Sequence, residues 1–307
     1  MRDPSDPTYY DRPVLKEPVW IWAVPVYFYV GGTAGAAAVL GAAAQTFDRS
    51  GSAALVKRCR LLAAGGAVLS TGLLVYDLGR PERFLNMLRV IRPTSPMSVG
   101  SWTLAVTGPL MGVAALLADS KGWLQGAGNL AGLGAAIGGM VLAGYPAVLL
   151  SNTVVPAWQE ARRSLPALFI ASGISGAATL AELSGLDRRQ QTVARRFGLV
   201  GKVAELASMA AVSREAGGLQ RVGRAYREGT GGWLLRGARG LTLASLGLSL
   251  VPGRSRIKAV AAALAGTAGA MAYKLGVFHA GKTSSRDPRA TFHLQHAERQ
   301  SREVPHG

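Results

Sequence analysis

The sequence predicts an all-α integral membrane protein with eight transmembrane helices arranged as two four-helix bundles. Three apolar runs carry this prediction, because Pro18 to Phe47, Pro93 to Ala118 and Gly122 to Gln159 contain no charged residue over 30, 26 and 38 residues. Each run exceeds the roughly 20 residues that a helix needs to cross a hydrocarbon layer about 30 Å thick. The mean hydropathy is only +0.22 because arginine-rich loops separate the apolar runs.

The remaining spans are shorter, and the sixth is the most polar because it contains Lys202 and Glu205. In chain order we place the spans at 22–47, 59–78, 99–118, 130–150, 165–183, 197–212, 233–251 and 257–277. The predicted division is a polar segment 1–20, a first bundle 21–150 with an interfacial loop 79–98, a connecting loop 151–164, a second bundle 165–278 and a polar tail 279–307. Four spans on each side of the connecting loop favour two four-helix bundles. An even number of spans places both termini on one side of the membrane.

The second span ends in the sequence YDLGRPERF, where charged residues follow a long apolar run. Gly79 and Pro81 predict the end of the helix, because proline lacks an amide hydrogen and disfavours helical geometry in the residue before it. The same segment places Asp77, Arg80 and Arg83 at the membrane surface. Such groups are costly there unless they have partners or a function.

Glycine is abundant, with 40 residues in the chain. Three glycine pairs have the four-residue spacing that allows helices to pack closely in a membrane. They are Gly31 and Gly35, Gly108 and Gly112, and Gly134 and Gly138.

The net charge is +17, and the 34 basic residues fall mainly in the loops between apolar runs. Basic loops contact anionic lipid and set the topology, so we interpret the charge as a membrane feature and predict no nucleic acid partner. The side that holds both termini collects 20 of the arginines and lysines, and the opposite side collects 12. The positive-inside rule therefore predicts cytoplasmic termini in a bacterial inner membrane.

Cysteine and histidine usage limits the cofactors that this chain can hold. Its single cysteine, Cys59, excludes an internal cysteine-ligated iron–sulfur cluster. All four histidines lie at or beyond His279, so paired histidines cannot hold a haem between the first seven spans. His293 and His296 lack a further ligand set, and we predict no metal site.

Several segments together resemble the NrfD/PsrC family, the quinone-reactive membrane subunits of polysulfide reductase-like and related molybdoenzyme complexes. The first span resembles the family over YYDRPVLKEPVWIWAVPVYFYVGGTAGAAAVL, the second loop over LGRPERFLNMLRVIRPTSPMSVGSW, and the end of the fourth span over GYPAVLLSNTVVPAW. The tail segment AGKTSSRDPRATF is also similar to family endings. Some family members place a histidine near the first span, and this chain has none there.

The resemblance implies two four-helix bundles, a menaquinone or ubiquinone pocket near one surface, an iron–sulfur electron-transfer subunit docked there, and a separate molybdenum or tungsten catalytic subunit. Every segment that carries the resemblance reaches the same side of the predicted membrane. Formate, polysulfide, thiosulfate, nitrite or hydrogen would each suit the catalytic partner, and formate oxidation is our preferred reading of the resemblance.

Reducing a quinone requires hydrogen-bond donors to its carbonyls and an acid relay to water. Tyr145 and Asn152 are candidate donors, although Tyr145 could belong to the interfacial aromatic belt and Asn152 could cap the helix. Asp77 is a candidate for the proton relay, or it could form an ion pair with Arg80 or Arg83.

Aromatic residues at the start of the first span are further candidates for the pocket. Trp22 and Tyr27 could line it, or they could anchor the helix at the interface. Arg80 and Arg83 are candidates for its rim.

Glu182 and Glu205 are the other acids at membrane depth, and with Asp77 they could form a proton relay across the bilayer. The alternative is that Glu205 pairs with Lys202 one turn earlier and Glu182 marks the interface. We expect Lys274 to extend its side chain toward the headgroups.

Two other classes of function remain open. A secondary transporter could also have eight spans and buried charges, although it would usually show helix breaks at matched positions of the two halves. A purely structural anchor without quinone chemistry is the third possibility.

Overall fold

The computed structural model describes residues 15–47, 52–80, 82–218, 220–251 and 255–287. Within these ranges the chain forms eleven helices and no strand. Eight are long and three, α3, α6 and α9, are short. The bounds are α1 Ala23–Phe47, α2 Ala53–Asp77, α3 Glu82–Met87, α4 Pro96–Leu116, α5 Trp123–Ser151, α6 Pro156–Glu160, α7 Leu165–Leu183, α8 Arg188–Gly217, α9 Gln220–Arg227, α10 Gly229–Leu250 and α11 Arg256–Ser285.

Six of the described helices are long and apolar enough to cross a membrane: α1, α2, α4, α5, α7 and α11. The predicted all-helical, multi-pass membrane protein is therefore confirmed. Each predicted span corresponds to one long helix, but α8 and α10 carry more charge than the other six. The prediction of eight crossings thus stays a prediction.

Helix α1 lies at the centre, and most of its residues are buried. A helix that is apolar on all sides is stable only when neighbours surround it. It contacts α2, α5, α7 and α11. Helix α4 packs on α5 and α2, whereas α7 packs on α8 and α10 packs on α11.

Successive long helices alternate in direction and leave two faces. Face A holds the start of α1, the end of α2, the end of α5 and the end of α11, and face B holds their opposite ends. Contacts distant in sequence link the ends at each face. At face A the indole Nε1 of Trp158 donates to the carbonyl of Val277 at 2.8 Å. At face B, Lys57 and Asp119 form an ion pair at 2.5 Å.

Two glycine crossings allow α1 to lie at the centre. A Cβ atom added to Gly139 of α5 would lie 2.6 Å from the carbonyl oxygen of Gly35, and one added to Gly173 of α7 would lie 2.6 Å from that of Gly32. These atoms belong to the backbone and cannot move aside cheaply. The predicted packing role holds for Gly35, but no atom lies within 4 Å of the Cβ position at Gly108 or Gly112. Those two glycines face open space, so the prediction is wrong for them.

The predicted end of the second span is confirmed in its position. Helix α2 ends at Asp77, and Gly79 follows with a φ of 68°, a left-handed conformation that glycine adopts readily. The predicted contribution of Pro81 lies outside the described residues. The next loop contains the short helix α3, none of whose residues is buried.

At face A, Glu17 ties the segment before α1 to the last turn of α11. Its carboxylate accepts a hydrogen bond from Nε of Arg286 at 2.9 Å and lies 3.5 Å from Nζ of Lys282. The hydrogen bond from Arg286 lowers the pKa of Glu17 below its ordinary value of 4.5. A carboxyl group with a lowered pKa stabilises the folded contact above its ordinary pKa, and this contribution is lost as the pH falls through the lowered value.

We therefore expect the contact between these segments to hold at neutral pH and to open as the pH falls through the lowered pKa of Glu17. Spin labels at positions 16 and 283 should report a narrow distance distribution at neutral pH that broadens on acidification. The Glu17→Gln variant should give the broad distribution at both pH values. A distribution that is narrow in the variant would show that the ion pair does not hold the segments together.

Candidate functional site

A pair of tyrosines forms the centre of the candidate site near face A. The hydroxyl groups of Tyr27 on α1 and Tyr145 on α5 form a hydrogen bond with each other. Both side chains are buried, with relative exposures of 3% and 9%. Tyr27 lies four residues after the first residue of α1 and Tyr145 six residues before the last of α5, or about 6 and 9 Å along each helix. The structure thus brings together two residues that are 118 positions apart.

Helices α2 and α4 complete the surroundings of the pair. Gly100 on α4 faces the ring of Tyr145, and any Cβ there would collide with that ring. Ser70 on α2 is buried beside Tyr27, where both lie within 4 Å of the Cβ position of Gly31. Gly100 therefore leaves room for the ring of Tyr145 inside a four-helix contact.

The hydrogen-bonding capacity of the pair exceeds what the described residues use. Each phenol can donate one hydrogen bond. One hydroxyl proton serves the bond between Tyr27 and Tyr145, and the other has no acceptor within the described ranges. A buried donor without an acceptor is unfavourable, so the pair is suited to donate to a ligand carbonyl.

Asp77 lies at the same face and joins α2 to the start of α1. Its Oδ1 atom accepts a hydrogen bond from the backbone amide of Ile21 at 3.1 Å. The ring centroids of Trp22 and the neighbouring Tyr76 lie 6.2 Å apart. Trp22 itself is 59% exposed. Asp77 and Trp22 therefore mark the surface above Tyr27.

The predicted arginine partners of Asp77 do not pair with it. Arg80 and Arg83 are exposed, and within the described chain neither lies in an ion pair with Asp77. Arg83 instead faces the carbonyl of Leu78, at 3.5 Å. The ion-pair alternative for Asp77 is wrong, because its carboxylate points toward α1.

Asn152 is separated from Tyr145. Helix α5 ends at Ser151, and Asn152 is its exposed C-terminal cap. Its side-chain amide donates to the carbonyl of Val148 at 2.9 Å. The capping alternative for Asn152 is therefore confirmed.

A second group of polar residues lies inside α7, α8, α10 and α11. Glu205, midway along α8, is 0% exposed. Neither of its carboxylate oxygens has a hydrogen-bond partner within 3.5 Å among the described residues. Lys274 of α11 and the hydroxyl groups of Ser172 and Ser175 of α7 lie in the surroundings of Glu205.

The two lysines of this group have partners that differ from those expected. Lys202 donates to the hydroxyl of Ser249 on α10 at 2.7 Å, so the pairing of Lys202 with Glu205 across one turn is wrong as a direct contact. Lys274 is only 2% exposed, and its Nζ atom lies 3.3 Å from Oγ of Ser172 and 4.2 Å from the ring centroid of Phe169. The expectation that Lys274 reaches the headgroups is also wrong, because α11 continues to Ser285 and Lys274 points into the protein.

Glu182, in the last turn of α7, lies toward face B. It is partly buried, and its main electrostatic partners are Lys202 and Arg195. Arg195 also donates to the carbonyl of Ser249. Glu182 therefore belongs with Lys202 and Arg195 at the face B end of the group.

Sequence reasoning missed the serines of α7, although a signal was present. Ser172, Ser175 and Thr179 are all buried and recur at spacings of three and four residues, which place them on one side of a helix. A polar stripe in an otherwise apolar span indicates contact with buried polar groups rather than lipid.

The architecture and these two groups define a multi-pass, all-helical membrane protein with ionisable residues inside its helical core. No individual curated protein matches the sequence. The family model described as polysulphide reductase, NrfD, matches residues 13–214. The chain belongs to the NrfD family, whose members are membrane subunits of quinone-reactive oxidoreductase complexes. The resemblance noted in the sequence is thereby confirmed.

Proposed function

We propose that this protein exchanges electrons and protons between a membrane quinone and an iron–sulfur partner subunit. The observation that carries the proposal is the buried pair of Tyr27 and Tyr145, which retains one hydroxyl donor without an acceptor in the described chain. When bound, menaquinone or ubiquinone supplies a redox couple of two electrons and two protons. Tyr27 and Tyr145 would orient one of its carbonyl oxygens by donating a hydrogen bond.

Residues at face A would form the approach to this site. Asp77 is half-buried above Tyr27 and would hold or pass a proton between the tyrosine pair and water. Trp22 would cover the opening, and the exposed Arg80, Arg83 and Asn152 would form its rim. This arrangement favours face A as the docking surface of the iron–sulfur subunit, with a molybdenum or tungsten catalytic subunit beyond it.

The helix contacts support the proposed two-bundle organisation. Helices α1, α2, α4 and α5 contact one another in sequence, as do α7, α8, α10 and α11. In this proposal all eight cross a bacterial inner membrane, with both termini in the cytoplasm. Formate oxidation remains our preferred activity for the catalytic partner.

The first test is purification of the tagged protein from its native membrane in mild detergent. We expect an iron–sulfur protein, a large molybdenum or tungsten subunit and quinone to co-purify. A chain that purifies alone, without iron or quinone, would contradict the proposal and favour the transporter. A complete complex without bound quinone or quinone-linked activity would instead favour the structural anchor.

We also propose that Glu205 and Glu182 carry protons between face B and the membrane interior. The buried carboxylate of Glu205 lacks a hydrogen bond within the described chain, and Lys202 lies electrostatically close to both acids. Ionisable residues inside the membrane commonly mark proton pathways, and Lys274 nearby could stabilise the charged form of Glu205.

Replacing Glu205 by glutamine is expected to abolish proton movement linked to quinone turnover in proteoliposomes. The physical reason is that the amide of glutamine has the size of the carboxyl group but cannot take up and release a proton. The exposed Glu228→Gln variant is the matched control and should retain normal proton movement. Normal proton movement in Glu205→Gln, with the complex intact, would remove Glu205 from the relay.

A further inference from the structure

A cleft at face B is separate from the proposed quinone site and suggests a second binding site. It has a volume of about 510 Å³ and lies between the end of α1, the start of α2, the end of α4 and the start of α5. One part of its wall is polar and includes Gln45, Lys57 and Arg60. Another part is apolar and includes Leu130 and Leu133, which are 71% and 39% exposed.

Arg60 is the most unusual group in the wall of the cleft. It is 94% buried, since its relative exposure is 6%. Its guanidinium donates to the side-chain oxygens of Gln45 at 2.8 Å and Asn129 at 2.7 Å, and to the carbonyl of Ala114 at 3.3 Å. All three acceptors are neutral. No carboxylate of the described chain lies within 4 Å of this charge, and a buried unpaired charge is costly.

Donor capacity also remains at Arg60. A guanidinium has five N–H donors, and three of them serve the acceptors already named. Two N–H groups therefore have no acceptor within the described ranges. These two N–H groups belong to Nε and Nη1 and lie on different edges of the guanidinium, so each can donate separately to an anionic oxygen.

Two glycines of α5 lie in contact with this guanidinium. Gly128 and Gly132 on α5 face Arg60, whose nitrogen atoms lie 3.6 and 3.5 Å from their Cβ positions. Beneath Arg60, a gap of only about 10 Å³ lies between alanine and glycine residues. That gap holds about one water at most, so a larger ligand has to approach Arg60 from the outer cleft.

Lys57 adds a second cation at the mouth of the cleft. Its only ion pair in the described chain is with Asp119, whose side chain is 73% exposed. An exposed pair of this kind contributes little and can open. Lys57, Arg60 and Asp119 together carry a charge of +1, so the cleft attracts an anion.

We propose that this cleft binds the phosphate group of an anionic membrane lipid. Arg60 would donate a charge-assisted hydrogen bond to a phosphate oxygen, and Lys57 would contribute from the mouth. An acyl chain would lie along Leu130 and Leu133, which are exposed to the hydrocarbon layer at the same opening. The pairing of a buried cation with an adjacent apolar wall favours a lipid phosphate over inorganic phosphate.

The test uses the full-length protein with its co-purifying subunits, delipidated in detergent and titrated with lipid under native mass spectrometry. Phosphatidylglycerol should bind at least about tenfold more tightly than phosphatidylcholine of the same acyl chains, because charge-assisted hydrogen bonds to arginine are strong. Arg60→Gln should lose this preference, and Lys57→Gln should reduce it. Arg58→Gln removes the same charge from an exposed position two residues away and should keep it.

Arg60→Lys retains the charge and should retain part of the preference if Arg60→Gln does not fold. Equal binding of the two lipids, or an equal loss in Arg58→Gln and Arg60→Gln, would overturn the proposal. Inorganic phosphate that binds through Arg60 as tightly as phosphatidylglycerol does would overturn the lipid assignment. If the cleft binds an uncharged quinone in an Arg60-dependent way and does not bind phosphatidylglycerol, it is a quinone site instead.

Discussion

Replacing Tyr145 by phenylalanine is expected to lower quinone-linked turnover by about 100-fold while the complex still assembles. The substitution keeps the ring that fills the space beside Gly100 and removes only the hydroxyl that bonds to Tyr27. The pair would then lose one of its two donors, and the other would have no fixed orientation. Turnover should be measured with a soluble quinone analogue in the purified complex.

Two controls separate this effect from a structural one. Activity of the catalytic partner with an artificial dye should be unchanged in Tyr145→Phe. Tyr76→Phe removes a hydroxyl at the same face from a side chain that is 61% exposed, and it should leave quinone-linked turnover near normal.

The Tyr27→Phe variant tests whether the two hydroxyls act as a unit. We expect it to resemble Tyr145→Phe, and the double variant should be little worse than either single one, because groups that act together have non-additive effects. Full quinone-linked activity in both single variants would contradict the proposed site while leaving membership of the family untouched.

Replacing Gly35 by alanine is expected to lower the free energy of unfolding by about 1 to 3 kcal/mol. The added methyl group would collide with the backbone of Gly139 where α1 crosses α5. Neither helix can relieve this collision by a change of side-chain rotamer, so the crossing has to widen. Because α1 also contacts α2, α7 and α11, the disturbance would extend to both groups of helices.

The matched control is Gly108→Ala on α4, where no atom lies within 4 Å of the new Cβ. Alanine favours a helix over glycine by about 1 kcal/mol, so this variant should be neutral or slightly stabilised. The unfolding temperature should therefore fall in Gly35→Ala and stay unchanged or rise slightly in Gly108→Ala. A Gly35→Ala protein as stable as the parent would mean that the α1–α5 crossing is looser than described.

Much of the architecture could be predicted because it depends on composition over long segments. Uncharged runs of 30, 26 and 38 residues leave few alternatives to helices that cross a membrane. The end of α2 could also be predicted, since Gly79 favours the end of a helix whatever distant residues surround it. The family could also be inferred, because its motifs are continuous segments of sequence.

Pairings within the site were harder to predict, because residue spacing indicates a shared helix face only where the helix is unbroken. Tyr145 and Asn152 are seven residues apart and would share one side of a continuous helix. Helix α5 ends between them, so only Tyr145 enters the protein. Lys202 and Glu205 have a spacing that allows contact, but Ser249 of α10 offers the lysine a closer partner.

The sequence by itself determined that the chain is a helical membrane protein of the NrfD family, and it identified most of the ionisable residues at membrane depth. Only the tertiary structure decided which of them meet, placing Tyr27 beside Tyr145 and Lys274 near Glu205. It also revealed Arg60 as a buried cation with neutral partners. The physical reason is that apolarity is a property of each segment, whereas hydrogen bonds and charge pairing depend on which helices pack together.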